Sequence, residues 1–174
     1  MPVRRREFLI GALSGLTGLS GRQAFAAEAH ALSFYHIHTA ETLHVVYREQ
    51  GELVSGALDE INVFLRDFRT EETHPIDVAL LDELWTLHHT FERHGHFEVI
   101  SGYRSAKTNE ALRHVTTGVA KDSFHVSGRA IDVRHTSART DQLRDAAIAL
   151  RAGGVGFYPE SNFVHIDTGA FRTW

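Results

Sequence analysis

The chain has 174 residues, with 18 Lys and Arg against 22 Asp and Glu for a formal net charge of −4, 13 His and no Cys. Disulfides and thiolate ligands are therefore excluded, and any metal must be held by His and carboxylates. The acidic balance also excludes non-specific nucleic-acid binding, which relies on Lys and Arg to neutralise phosphates.

Residues 1–26 read as an export address. Arg4-Arg5-Arg6-Glu7-Phe8-Leu9 is a basic start with a twin-arginine pattern, the segment to Leu19 is apolar and glycine-rich, and Ala24-Phe25-Ala26 fits a small-x-small cleavage site. Processing after Ala26 and twin-arginine export to the periplasm are expected. The apolar run is too short and too rich in small residues for a retained membrane span. Residues 27–174 then fit a single domain, and loss of Arg4, Arg5, Arg6, Arg22 and Glu7 takes the net charge from −4 to about −7.

The expected domain begins with β-rich runs at 32–38 and 42–47 joined by a short polar turn, which predicts a hairpin. His36, His38 and His44 fall on it and read as a solvated or hydrogen-bonded face, because no carboxylate shares their pattern. Leu58, Ile61, Phe64 and Leu65 form a helical stripe over 57–68, and Leu80, Leu81, Leu84, Leu87 and Phe91 form another over 77–93, with Pro75 in the loop between. His88 and His89 near the second helix's end complement its dipole. A strand at 97–101 and a short helix at 106–115 follow, then a loop at 116–124 where a substrate would enter.

In residues 129–134 the alternation puts Ala130 and Asp132 on one strand face and Ile131 and Val133 on the other. Thr140 opens an amphipathic helix over 140–152, with Leu143, Ala147 and Leu150 inward and Gly153-Gly154 at its end. Strands at 155–158 and 163–167 are joined by the tight turn 159–162, and Phe157, Tyr158, Phe163 and Trp174 are candidates for a groove wall. The predicted architecture is α+β: a small, mostly antiparallel sheet with helices packed on one side.

In 163–167, Val164 and Ile166 take the apolar face and His165 and Asp167 the opposite one. Two adjacent strands in this phase bring His165 beside Asp132, and Gly128 lets the chain turn so that His125 reaches the same point. Two imidazoles and one carboxylate suit a catalytic zinc with one open position, which lowers the pKa of bound water to about 7 and points to a hydrolase. The same ligand set also suits other divalent ions.

Ser123-x-His125-x-x-Gly128-x-Ala130-x-Asp132 followed by His165 resembles the zinc signature of the M15 peptidases, the LAS group of lysostaphin-type, D-Ala-D-Ala and Hedgehog-like metalloenzymes. Ile100-Ser-Gly-Tyr-Arg104-Ser, Thr108-Asn109-x-x-Leu112, Gly118-Val-Ala-Lys121, Val155-Gly-Phe-Tyr158-Pro, Phe163-Val-His-Ile-Asp-Thr-Gly169 and Arg172-Thr-Trp174 are similar to its YcbK branch of murein endopeptidases. The likeness runs from about Ala31 to the C-terminus. It implies a Hedgehog/D-Ala-D-Ala-peptidase-like fold, zinc ligands His125, Asp132 and His165, and Arg104 as the cation for the scissile carbonyl oxygen or a substrate carboxylate. A guanidinium fixed beside the metal also suits that role physically, because it stabilises a developing oxyanion. Tyr103 and Ser123 are candidates for orienting substrate or the groups that support the metal ligands. The implied substrate is the peptide moiety of peptidoglycan, cut at its cross-links; trimming of terminal D-amino acids and a non-catalytic wall-binding role are the rivals. One departure stands out: where many M15 enzymes carry an acidic base three residues before the last ligand, or a His two before it, this chain has Asn162 and Phe163. Neither takes a proton from water, which leaves His135, Glu160 and Asp167 as candidates by proximity in sequence, with Asp132 or the substrate's own carboxylate as further ones.

Overall fold

The structure is a computed structural model that describes residues 28–91, 94–115 and 119–174. The expected export address lies outside these residues. In chain order the elements are β1 (His30–His36), β2 (Thr42–Glu49), β3 (Glu52–Leu53), α1 (Ser55–Phe64), α2 (Val78–Thr90), β4 (Phe97–Ser101), α3 (Ala106–Val115), a 3-10 turn (Phe124–Ser127), β5 (Ala130–His135), α4 (Thr140–Leu150), β6 (Gly154–Tyr158), β7 (Phe163–Asp167) and β8 (Arg172–Thr173). The strands form one eight-stranded sheet in the order β3-β2-β1-β4-β5-β7-β6-β8. Pairing is antiparallel except for β1 with β4 and β6 with β8. The fold is thus α+β and mostly antiparallel, although the sheet is larger than the alternation alone predicts.

The core lies on one face of this sheet. Leu32 and Phe34 of β1, Phe97 and Val99 of β4, Ile131 and Val133 of β5, and Val164 and Ile166 of β7 are all nearly or fully buried. Helix α1 packs on β2, α2 on β1, and α4 on β5, β6 and β7, contributing Ile61, Leu80, Leu84, Leu87, Leu143 and Ala147 to the same layer. Each of these Val, Leu, Ile and Phe side chains stabilises the fold by roughly 1.5–3 kcal/mol relative to exposure. Among the described residues no helix is long and apolar enough to cross a membrane.

Several boundaries differ from the periodicity for local reasons. Helix α1 stops at Phe64 rather than 68 because the chain there is captured from outside the helix. Leu65 O accepts from Tyr103 N at 2.8 Å, and the Asp67 carboxylate accepts from Arg69 N and Ser105 N. Helix α2 is capped by Asp77, whose side chain accepts from Ala79 N. Helix α4 ends through Arg151 in the left-handed conformation, φ 54°, two residues before the glycines expected to stop it. The 159–162 turn closes by Asn162 N donating to Pro159 O at 3.1 Å, with Asn162 left-handed at φ 52°, a conformation Asn tolerates better than most residues.

The hairpin histidines do not share one solvated face. His44 is hydrogen-bonded to Ser33 Oγ at 2.8 Å, and His38 stacks on Phe68. His36, by contrast, is fully buried against Phe64 and Phe68. Nor does His88 only complement the dipole of α2: it is buried with Nδ1 3.0 Å from His135 Nε2, beneath the sheet.

Candidate metal centre

Strands β5 and β7 pair so that Asp132 stands directly opposite His165. Both side chains leave the sheet on the face away from the helical core, since Ile131, Val133, Val164 and Ile166 occupy the other. His125 arrives from the 3-10 turn, which ends at Gly128 in the left-handed conformation, φ 65°. A Cβ at Gly128 would stand 2.2 Å from Pro75 O, so both its φ and its surroundings require glycine there. The sequence thus delivers three ligand-type residues from two neighbouring strands and the turn before them.

Three atoms converge. Asp132 Oδ1 lies 2.8 Å from His165 Nδ1 and 3.3 Å from His125 Nε2, and the two nitrogens are 3.2 Å apart. Their outward nitrogens are already engaged: His125 Nδ1 lies 2.7 Å from Gly102 O, and His165 Nε2 lies 3.0 Å from Asp167 Oδ2. Both outer partners are pure acceptors, so each ring places its N–H outward and its lone pair inward. Three lone-pair bearers then face one another in a buried place, an arrangement that demands a cation or a shared proton. Burial disfavours charge on His165, but the hydrogen bonds and charges of Asp132 and Asp167 outweigh it and raise His165 to about 9. Burial likewise works against the Asp132 carboxylate, and the two imidazoles overcome it, holding Asp132 well below the usual carboxylate range. The donor set, with two imidazole nitrogens and one carboxylate oxygen all within 4.8 Å of one another, fits a divalent ion such as zinc.

Asp167 has a role that the sequence reading did not identify. Fully buried, it accepts from His165 Nε2, from Arg172 Nη1 at 3.0 Å and Nη2 at 2.7 Å, and from Gly169 N at 2.8 Å. It orients His165 in the manner of carboxylate–histidine–metal triads, and with so many donors upon it, it is not placed to take a proton from water. The alternating phase that puts Asp167 on the same strand face as His165 was the available signal.

The other candidates separate. Arg104 follows β4 and lies on the cleft wall, its Nη2 3.6 Å from Asp132 Oδ2. Ser123 lines the same cleft, which has a volume of about 590 Å³ and is also bounded by Asp122, Phe124, Tyr158, Phe163, Arg172 and Trp174. Tyr158 stacks on Phe163, Trp174 Nε1 donates to Tyr158 Oη at 2.9 Å, and the Trp174 ring is 5.4 Å from His165. Tyr103 is not among the residues lining the cleft, and its ring stacks on His74 at 5.0 Å. Its backbone N–H donates to Leu65 O at 2.8 Å. His135 departs from expectation, since its odd position in β5 places it on the core face with His88. Glu160 is exposed in the 159–162 turn and is not part of the cleft lining either.

The description of the peptidoglycan L,D-endopeptidase MepK family matches residues 24–174. The chain is 36% identical over 175 residues to peptidoglycan L,D-endopeptidase MepK of Escherichia coli strain K12, covering 98% of this chain and 96% of that protein, and equally similar to its counterpart from Shigella flexneri. It is 39% identical over 144 residues to the probable peptidoglycan L,D-endopeptidase MepK of Haemophilus influenzae, covering 82% of this chain and 77% of that protein. No solved structure matches it.

Proposed function

Because the chain belongs to the MepK family of M15 peptidases, we propose that it is a zinc metallopeptidase that hydrolyses amide bonds in the peptide cross-links of peptidoglycan. The observation that carries this reading is the convergence of His125 Nε2, His165 Nδ1 and Asp132 Oδ1, with both rings' outer nitrogens already engaged. In this reading residues 1–26 are a twin-arginine signal removed on export to the periplasm, and 27–174 form the peptidase domain.

His125, Asp132 and His165 hold the ion. A zinc ion held there supplies a Lewis acid and brings the pKa of water toward neutrality. Gly102 O and Asp167 accept the outer N–H of the two rings, so the nitrogens aimed inward are the ones an ion would take, displacing the proton that the neighbouring carboxylates otherwise hold on His165. Arg104 stabilises negative charge on the substrate carbonyl oxygen, and partial burial strengthens that interaction by excluding water. Ser123 and the aromatic wall of Tyr158, Phe163 and Trp174 orient the peptide on either side.

The test is digestion of purified sacculi by wild type and His125→Ala, each with and without a chelator, with products identified by mass. Loss of cross-linked dimers with wild type alone, abolished by the substitution and by the chelator, is the expected result. Retained cleavage by His125→Ala rejects a zinc mechanism. Release of free D-amino acids or dipeptides with intact dimers selects terminal trimming, and murein binding without any product by metal-replete protein selects a binding module.

A further inference from the structure

We infer that Asn109 is a positioning residue for Arg104, an assignment that rests on the reading of Arg104 as the cation for the substrate oxygen. Asn109 sits in the first turn of α3 and is 4% exposed. Its Nδ2 donates to Ala120 O at 3.1 Å and to Lys121 O at 3.3 Å, while its Oδ1 accepts from Arg104 Nη1 at 3.4 Å. The orientation of the amide is determined from both ends. Backbone carbonyls only accept and a guanidinium only donates, so Nδ2 must face the loop and Oδ1 the arginine. One side chain therefore ties together α3, the cleft lip around 119–123 and the arginine beside the metal centre.

The need for such a tie follows from what surrounds Arg104. Its guanidinium faces Asp132, whose other oxygen belongs to the ligand cluster, and an unrestrained arginine would close on that carboxylate as a bidentate pair. That collapse would draw the ligand oxygen away from the cluster and quench the charge meant for the substrate. Nη2 instead stands 3.6 Å from Asp132 Oδ2, an ion pair without a hydrogen bond, while Nη1 makes a long hydrogen bond of 3.4 Å to Asn109 Oδ1. A neutral amide suits the position: it accepts from the arginine without adding a second negative charge to compete for it. The helix bearing Asn109 is itself anchored, since Asn109 N donates to Ser105 O at 2.9 Å and Ser105 N donates to the buried Asp67 carboxylate. The lip it holds brings Val119, Ala120, Asp122 and Ser123 to the cleft.

The experiment measures kcat and KM on purified L,D-cross-linked muropeptide dimers for wild type, Arg104→Ala, Asn109→Ala, Arg104→Lys and the Arg104→Lys/Asn109→Ala double variant, with zinc content and melting temperature recorded for each. Arg104→Ala is expected to lower kcat by about 100-fold or more, the scale for losing an oxyanion donor. Asn109→Ala is expected to lower kcat by about 10-fold or more at unchanged zinc content and assay-temperature foldedness. In the Arg104→Lys background the same substitution is expected to change kcat less than about threefold, because an ammonium on a flexible stem does not use the amide's placement. Near-normal activity of Arg104→Ala overturns the role of Arg104 itself. An inactive Arg104→Ala together with either an unaffected Asn109→Ala or an equal Asn109 effect in both backgrounds overturns this inference alone and makes the amide merely structural. Should Asn109→Ala not fold, Asn109→Ser, whose hydroxyl can still donate to a loop carbonyl but is too short to reach the guanidinium, carries the comparison through the same two backgrounds.

Discussion

Replacing Asp167 by Asn changes one atom and inverts the chemistry beneath His165. Asp167 Oδ1 accepts from Gly169 N, Gly154 N and Arg172 Nη1, while Oδ2 accepts from Arg172 Nη2 and His165 Nε2. An asparagine keeps its carbonyl toward the three donors at Oδ1, which places its NH2 group against Arg172 Nη2 and His165 Nε2. His165 escapes the donor–donor clash by giving up the proton on Nε2 and keeping one on Nδ1, the nitrogen that faces Asp132 and His125. The ligand lone pair is then lost. Restoring it for metal binding forfeits one charge-assisted hydrogen bond, about 1.5–3 kcal/mol, which is roughly 10- to 150-fold in zinc affinity and agrees with the 10- to 100-fold typical of partners that orient metal ligands. The assay is zinc competition against a chromogenic chelator at pH 7.5 on protein shown to be folded by its melting curve. Zinc affinity within threefold of wild type in folded Asp167→Asn would refute the tautomer argument.

Three further outcomes follow from other parts of the molecule. Burial lowers His36 to about 4, helped by His38, and lowers His135 to about 4 beside His88 and His96. Both are neutral when folded but titrate near 6.5 when unfolded, so their contribution to stability is complete above pH 6.5 and is lost as pH falls toward 4. By pH 5 the loss is about 2–4 kcal/mol together, and urea midpoints of wild type and His36→Gln/His135→Gln at pH 7.5 and 5.0 check it, since an equal fall in both proteins contradicts the assignment. Gly156→Ala places a Cβ 2.6 Å from Trp174 Cε2 and must push that ring off its place beside His165. The expected result is a changed tryptophan emission and a raised KM with a stability loss of about 1–3 kcal/mol, whereas unchanged emission and KM mean the ring is not a substrate surface. Leu84→Ala, at a fully buried position of α2, is expected to cost about 2–5 kcal/mol in urea unfolding, and a cost below about 1 kcal/mol would show that α2 is not seated on the sheet as described.

What the sequence made legible was whatever one element's own periodicity encodes. The alternation through Ile131, Asp132 and Val133 and through Val164, His165 and Ile166 assigned the faces of β5 and β7, and the apolar stripes located α1, α2 and α4. What stayed hidden depends on partners distant in the chain. Strands β3 and β8 have two residues each and exist only through pairing with β2 and β6, so no period announces them. The parallel contact of β1 with β4 spans both intervening helices. His88 is explained by His135, 47 positions away, and the Tyr103 ring stacks on His74. Arg151 does the work expected of the following glycines: it takes the left-handed conformation itself, with its guanidinium 4.1 Å over the Phe171 ring.

The location of the three ligands follows from the pairing rules of antiparallel strands. Directly opposed residues on one face have Cβ atoms about 4.5–5.5 Å apart, close enough for two side chains to reach one ion, and Asp132 with His165 is such a pair. Strands β5 and β7 lie inside the sheet, each flanked by a neighbour on both sides, so neither frays as an edge does. A register slip of one residue would turn Ile131 or Ile166 into the cleft and drive Asp132 or His165 into the apolar layer. The core therefore enforces the site: the free energy that keeps Ile131, Val133, Val164 and Ile166 dry is the same free energy that holds the carboxylate and the imidazole opposite one another. Only His125 stands outside this constraint, and for it the chain uses a glycine with positive φ and a backbone carbonyl, at Gly128 and Gly102, to set the ring's path and its tautomer.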